Sequence, residues 1–472
     1  MRGGHEGPPH TSCRDVPLPI ILLYSDYEST QPLPEFWGQT TVPIALSHEA
    51  PSRSQTENYS RPLAVVTTLF FMWGFLTCLN DILVPHLKSI FELNYAKVML
   101  IQFSFFSAYF IFSIPAAKIV DWIGFQRTMV AGLLTMGLGA SLFVPAASVP
   151  SFALFLTALI VLATGITALQ VAANPYVIVL GSPQTASSRL NLTQAFNSLG
   201  TVIAPQVGKL LILSSAPLAL WEIQKLAPAA LQAYRIQQAA SVKLPYIVIG
   251  VALVLLAVVI GTSRLPKIEA AQHPLGEQVG DSIWKHPNLI LGAIGIFCYV
   301  GAEVSIGSFL VNYFARPEIA GLTEKAAAGF VSFYWGGAMV GRFLGSAVLR
   351  RIRTGYLLGL CAFCTATLVT VSMVSSGWVA MWSILAVGLF NSIMFPSIFT
   401  LGVAELGPLT GDASGILNMA IVGGAVVPLL QGVVADRIGI HHAFFLPVFC
   451  YLYILYYALV GSKPNSQRLS PA

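Results

Sequence analysis

The chain has 472 residues, 55% of them hydrophobic and only 10% charged, with a mean hydropathy of +0.73. Soluble domains carry about 25% charged residues, so this composition excludes a soluble globular enzyme and specifies a chain that lies in a bilayer along most of its length. The formal net charge of +5 is scattered over the chain rather than gathered in a basic patch, and gives no ground for nucleic-acid binding.

Residues 1–60 stand apart, being polar and proline-rich, with Pro17–Tyr24 as their one apolar patch. That patch is too short, and too interrupted by proline, for a signal peptide. The segment reads either as a disordered cytoplasmic extension or as a start codon placed too early. After it come about twelve apolar runs of helical length, at 62–86, 98–119, 127–147, 152–180, 189–214, 243–263, 287–314, 327–349, 355–374, 377–405, 412–434 and 441–462. Each reaches the roughly 17–25 residues that cross a hydrocarbon core, and none shows the two-residue alternation of a membrane barrel. The expected architecture is an all-α membrane protein of twelve transmembrane helices.

The first run holds Asn80 and Asp81. Insertion scales put about 2.5–3.5 kcal/mol on an aspartate at a helix centre, so acids at this depth are rare and usually functional. Asp81 is a candidate for proton exchange; a structural carboxyl that stays protonated is the alternative. His86, after Pro85, reads as an interfacial residue. The loop after the second run carries the charged residues Asp121 and Arg127. The fourth run places Gln170 and Asn174 four residues apart, hence on one face, and the fifth places Gln194 and Asn197 three apart. Clustered amides with both donors and acceptors suit a neutral polyhydroxylated ligand. The alternative is that they bridge helices, which contributes about 0.6 kcal/mol on average.

In the second half, Glu303 lies in the seventh run, Asn391 and Phe395 in the tenth and Asn418 in the eleventh. Gly337, Gly341 and Gly345 recur every four residues in the eighth, the spacing of closely packed helices. The six cysteines fall mostly within apolar runs, and Cys361 and Cys364 have no histidine or carboxylate beside them, so they read as packing residues. His441 and His442 read as an interfacial pair. No nucleophile–base arrangement, phosphate loop or metal-spaced cluster is visible, so neither an enzyme nor a cofactor or metal site is expected.

The chain repeats itself. Pro175–Gly181 resembles Pro396–Gly402 at an offset of 221, Gly200 and Pro205 match Gly423 and Pro428 at 223, and Asp81 and Glu303 differ by 222. A shared offset through three helices implies two pseudo-symmetric six-helix halves. We assign 61–263 and 287–463 to the halves, 264–286 to a cytoplasmic linker and 464–472 to a tail. Such halves hold substrate near the midplane and rock around it. Arg350, Arg351 and Arg353 lead a bias in loop charge that places both termini in the cytoplasm.

Several long motifs carry a resemblance to a known family. Phe70-Phe71-Met72-Trp73-Gly74-Phe75 with Leu79–Pro85, Ala172–Tyr176, Arg189–Gly200 and Phe297–Glu303 resemble the fucose–proton symporters of the major facilitator superfamily. Leu169–Ala172, Val304–Phe309 and Leu389–Pro396 are most similar to its bacterial glucose/galactose transporters. The resemblance spans about residues 60–463 and implies the major facilitator fold, a monosaccharide and protons as partners, monomeric action and a bacterial inner membrane. It lays the proton carrier on Asp81, with Glu303 in support, and sugar contacts on Gln194 and Asn197. Asn80, Gln170, Asn174, Asn391, Phe395 and Asn418 complete the candidate binding set, and Asp121 and Arg127 fall in the family's gate loop. Two departures matter: the fucose permease has glutamate where this chain has Gln170, and tyrosine where it has Phe395. Losing the acid favours a hexose over fucose and leaves open a uniporter, or a carrier of another neutral sugar.

Asp81→Asn is therefore the discriminating substitution. In vesicles under about 100 mV of driving force, worth roughly 50-fold accumulation, the variant is expected only to equilibrate sugar. Undiminished uphill uptake would remove the coupling role.

Overall fold

The computed structural model describes residues 59–91, 95–148, 151–211, 226–231, 233–234, 243–266 and 282–463. Twelve helical segments of span length are present among them: α1 (Ser60–Phe91), α2 (Tyr95–Ile123), α3 (Phe125–Ser148), α4 (Phe152–Val179), α5 (Ala186–Leu211), α6 (Lys243–Thr262), α7 (Pro287–Phe314), α8 (Glu324–Val348), α9 (Thr354–Val374), α10 (Gly377–Gly402), α11 (Gly407–Ile438) and α12 (Ile440–Gly461). Nine are long and apolar enough to cross a membrane among the described residues; α1, α5 and α8 are the exceptions. In α5 the cause is legible, since Ser187, Ser188, Arg189, Asn191, Thr193, Gln194, Asn197 and Ser198 all fall inside it. Such a polar helix is stable in a bilayer only when other helices wrap it. All eight of these residues are buried or half-buried.

Peripheral helices do the reverse. Along α6, Leu244, Ile247, Val248, Val251, Leu255 and Val258 are exposed at helical spacing, while Tyr246, Ile249, Leu253 and Ala257 are buried. An exposed stripe of this kind is a lipid-facing surface, because hydrocarbon neither repels nor attracts it more than another helix would.

Close approach within each half rests on glycine. A Cβ on Gly200 would strike the Phe71 carbonyl of α1, and a Cβ on Gly423 would strike the Phe297 carbonyl of α7. The same pairing is thus made twice, α1 with α5 in one half and α7 with α11 in the other, and the two glycines stand at the offset of 223 seen in the sequence repeat. Gly388 of α10 lies in the same way on the Tyr334 carbonyl of α8.

Prolines break the regularity at matching points. Pro175 in α4 has no N–H for the carbonyl of Val171, four residues earlier, and Pro396 in α10 has none for Ser392. Both freed carbonyls are satisfied by side chains: Ser414 Oγ of α11 donates to Val171 O at 2.9 Å, and Arg342 Nε of α8 donates to Ser392 O at 3.2 Å. Around Ser392 the helix of α10 is interrupted, splitting into Gly377–Asn391 and Met394–Gly402.

The polar contacts between the halves gather toward one end. Ser188 Oγ donates to Ser346 O at 2.7 Å and Ser346 Oγ returns a bond to Ser188 O at 3.0 Å. Thr354 Oγ1 donates to Ser187 Oγ at 2.9 Å, and Lys118 Nζ pairs with Asp412 at 2.7 Å. This end carries the α2–α3, α4–α5 and α8–α9 connections, where the sequence places the cytoplasm.

Gly388→Ala is expected to cost about 1–3 kcal/mol through overpacking, read as a lower melting temperature in detergent. Gly329→Ala, whose new methyl would meet nothing within 4 Å, should leave it unchanged.

Candidate functional site

A cavity of about 160 Å³ lies between the halves. Its first-half wall is Trp73 of α1, Tyr109 of α2, Gln170 of α4, and Gln194 and Asn197 of α5. The opposing wall is Tyr299, Val300 and Glu303 of α7, Arg342 of α8, Phe395 and Pro396 of α10, and Ile421 of α11. No single half encloses it.

The first wall is uncharged among the described residues. Gln170 Nε2 donates to Tyr109 OH at 2.5 Å, and Asn197 Nδ2 donates to the Phe70 carbonyl at 2.9 Å. These bonds hold both amides in place. Gln194 differs: it is 5% exposed, lines the cavity, and its Nε2 has no hydrogen-bond partner among the described residues. A buried donor left unpaired costs about 1–3 kcal/mol, so a ligand oxygen brought to it would recover that cost.

The second wall is charged and self-compensating. Arg342 Nη2 lies 3.8 Å from Glu303 Oε1, with side-chain exposures of 14% and 13%. The spacing makes an ion pair without a short hydrogen bond. Tyr299 OH, one turn before Glu303, donates to the same Oε1 at 2.7 Å. Arg342 also donates from Nη1 to Ser198 Oγ of α5, and from Nε to the Ser392 carbonyl freed by Pro396. A guanidinium has five N–H donors in a fixed fork, and here they serve three helices at once.

The other expected residues fall as follows. Asn391 donates to Tyr334 OH at 3.2 Å and accepts from Tyr451 OH at 3.3 Å, away from the cavity lining. Asn418 donates to Ser414 O at 2.9 Å and to Ser414 Oγ at 3.2 Å, beside the seam bond to Val171. Asn174 is fully buried, and both its amide atoms lack partners among the described residues. None of these three lines the cavity. Asn80 and Asp81 belong to α1, but their side chains lie outside the described residues. Asp121 sits in the last turn of α2, the loop being reduced to Gly124 at φ 82°, and Lys118 Nζ approaches Asp121 at 3.7 Å. Arg127, in the first turn of α3, is exposed and forms no ion pair among the described residues.

Arg342, Tyr109, Tyr299 and Ser198 are additions that sequence reading had missed. Arg342 carried a signal, since a cation inside the run 327–349 falls under the rule that singled out Asp81. Tyr299 stands four residues before Glu303, the spacing at which helix side chains meet. Tyr109 and Ser198 had no such mark.

Comparison with known proteins agrees with this architecture. Residues 65–428 match the Major Facilitator Superfamily. The chain is 53% identical to the glucose/galactose transporter of Brucella abortus, over 90% of this chain and 99% of that one. It is 35% identical to the L-fucose-proton symporter of Escherichia coli, over 87% and 95% respectively. Among solved structures, it matches FucP in the outward conformation with a TM-score of 0.79 at 33% identity, covering 85% of this chain and 98% of that one.

Asn391 and Gln194 separate structural from ligand-facing amides. Asn391→Ala strips two buried tyrosines of partners and is expected to destabilise by about 1–3 kcal/mol, seen as a lower melting temperature. Gln194→Ala, whose amide nitrogen has no partner to lose, should leave the melting temperature close to that of the unaltered protein.

Proposed function

Because the chain belongs to the Major Facilitator Superfamily, we propose that it imports glucose and galactose by proton symport, its two halves rocking about the central cavity. The observation that carries this is the cavity itself: amides and aromatic rings on one wall, and on the other a cation and an anion that cancel. A charged solute would meet an opposing charge for every favourable one, whereas a neutral sugar needs only donors, acceptors and apolar faces. Gln170, Gln194 and Asn197 supply the amides, Trp73 and Phe395 flat faces for sugar C–H groups, and Glu303 a carboxylate open to the same space. The 53% identity to a glucose/galactose transporter supports the choice of hexose.

Proton coupling rests on Asp81 and Glu303. Asn80 is placed beside the sugar, while Asn174, Asn391 and Asn418 are assigned to the packing of the helices behind it. Asp121 acts with Lys118 and Asp412 at the gate, and Arg127 flanks it. The seam bonds at Ser188–Ser346 and Lys118–Asp412 support reading this conformation as shut on the cytoplasmic side, with both termini on that side of a bacterial inner membrane. The transporter acts as a monomer and uses no cofactor.

Two measurements test the reading. Purified protein in proteoliposomes should accumulate radiolabelled D-glucose against its gradient when an inward proton gradient is imposed, and D-galactose should compete. Equilibration without accumulation would refute symport, and absence of hexose uptake would refute the sugar assignment. In the same vesicles Gln194→Ala should raise the KM for glucose about 3–10-fold, the worth of one ordinary hydrogen bond.

A further inference from the structure

Arg342 is the one described residue that touches the cavity, the proposed proton site and the opposite half together. It lines the cavity, faces Glu303 at 3.8 Å, binds the Ser392 carbonyl at 3.2 Å, and reaches across the seam to Ser198 of α5. We propose that Arg342 couples the charge on Glu303 to the closure of the seam, holding the halves together while Glu303 is ionised and releasing them when Glu303 takes a proton. This rests on the symport reading above.

The physical argument concerns an uncompensated charge. A guanidinium stays protonated in a protein, and a buried cation is tolerated only with a counter-charge. While Glu303 is a carboxylate, the pair is neutral and Arg342 sits at the α7–α8 contact with a donor to spare for Ser198. Once Glu303 is protonated, Arg342 faces only neutral acceptors among the described residues, the Ser198 hydroxyl and the Ser392 carbonyl. A hydrated or re-paired guanidinium is then favoured over a buried one, and moving toward water gives up the bond to α5. The sign suits import: a proton loaded from outside loosens the cytoplasmic seam, and its loss inside restores it.

Few other groups share this task. Tyr299 on α7, Tyr334 on α8 and Tyr451 on α12 face Glu303, and Tyr109 of α2 lines the same cavity. These are phenols, which stay neutral where a carboxyl titrates. From α10 and α11 the lining is Phe395, Pro396 and Ile421, which carry no charge. The side chain of Asp81 on α1 lies outside the described residues. Among the described lining, then, Arg342 is the group that must respond to the state of Glu303.

The test separates exchange from accumulation. Exchange of internal for external glucose, at equal pH on both sides, requires the seam to open but no net proton flow. In the unaltered protein exchange should slow as pH rises, because ionised Glu303 retains Arg342. In Arg342→Gln, exchange should be retained and slow less as pH rises, while gradient-driven accumulation falls about tenfold, the worth of one charge-assisted hydrogen bond. Arg342→Lys keeps the charge and should restore the pH dependence in part. Ser198→Ala keeps the ion pair but removes the grip on α5, and should lower accumulation with exchange retained; it stands in should Arg342→Gln not fold. Normal accumulation with an ordinary pH profile in Arg342→Gln or in Ser198→Ala would overturn the proposal. If the unaltered protein exchanges glucose but never accumulates it, the symport reading fails instead.

Discussion

In hydrocarbon every backbone carbonyl must find a donor within the protein, and this chain breaks that rule at the same place in each half. Pro175 and Pro396 leave the carbonyls of Val171 and Ser392 without helical partners. Both openings are closed by side chains of other helices, Ser414 and Arg342. The first closure crosses directly between the halves. The second brings in a residue that itself crosses, through Ser198. Two interruptions that would be defects in a lipid-facing helix thus become the points where α4 and α10 are tied to their surroundings. A bond of this kind also has a ready alternative, since a freed carbonyl lining a cavity can be satisfied by water. That makes it a suitable tie for halves that must part and rejoin.

The contacts around these ties differ in kind. Within a half, helices meet through glycine laid on a carbonyl, as Gly200 on Phe71 and Gly423 on Phe297 do. Such contacts are lost entirely if the helices separate by the width of a methyl, so they favour halves that move as rigid units. Across the seam the described polar contacts are hydroxyl and ion-pair bonds, Ser188 with Ser346 and Lys118 with Asp412. Exposed ion pairs contribute only about 0–1 kcal/mol, and each seam bond can be exchanged for water. Firm packing inside the halves and exchangeable bonds between them are what alternating access requires.

Polarity is distributed by the same logic. The most polar long helix, α5, is the one wrapped by neighbours, and it presents Gln194, Asn197 and Ser198 to the cavity and the seam. The apolar α6 stands at the lipid with an exposed stripe of branched aliphatics. A carbohydrate site in a membrane is bounded by this requirement: polar groups must be numerous enough to replace the water of a sugar, yet satisfied or shielded when no sugar is present. Gln170 on Tyr109 and Asn197 on Phe70 meet the second condition, while Gln194 keeps a donor unassigned.

Much of this was legible in the chain itself. Hydropathy alone determined that it spans a bilayer many times as helices, because an apolar run of span length has no other stable arrangement in lipid. The offset of about 222 between Asp81 and Glu303, with the glycine and proline matches, determined the duplication. The long motifs of the first, fourth, fifth and seventh runs determined the family. What the chain could not decide was which of its buried amides face the ligand. Gln170 and Asn174 share a helical face by spacing, yet Gln170 lines the cavity and Asn174 does not. Asn391 and Asn418 are no different from Gln194 in composition, but two tyrosines bond Asn391, and Ser414 holds the amide nitrogen of Asn418. Helical periodicity gives direction relative to one axis only, whereas a site between twelve helices depends on how those axes are rotated and tilted against one another. The three-helix reach of Arg342 is of that kind: its presence was written in the sequence, but its partners on α5, α7 and α10 were set by tertiary packing alone.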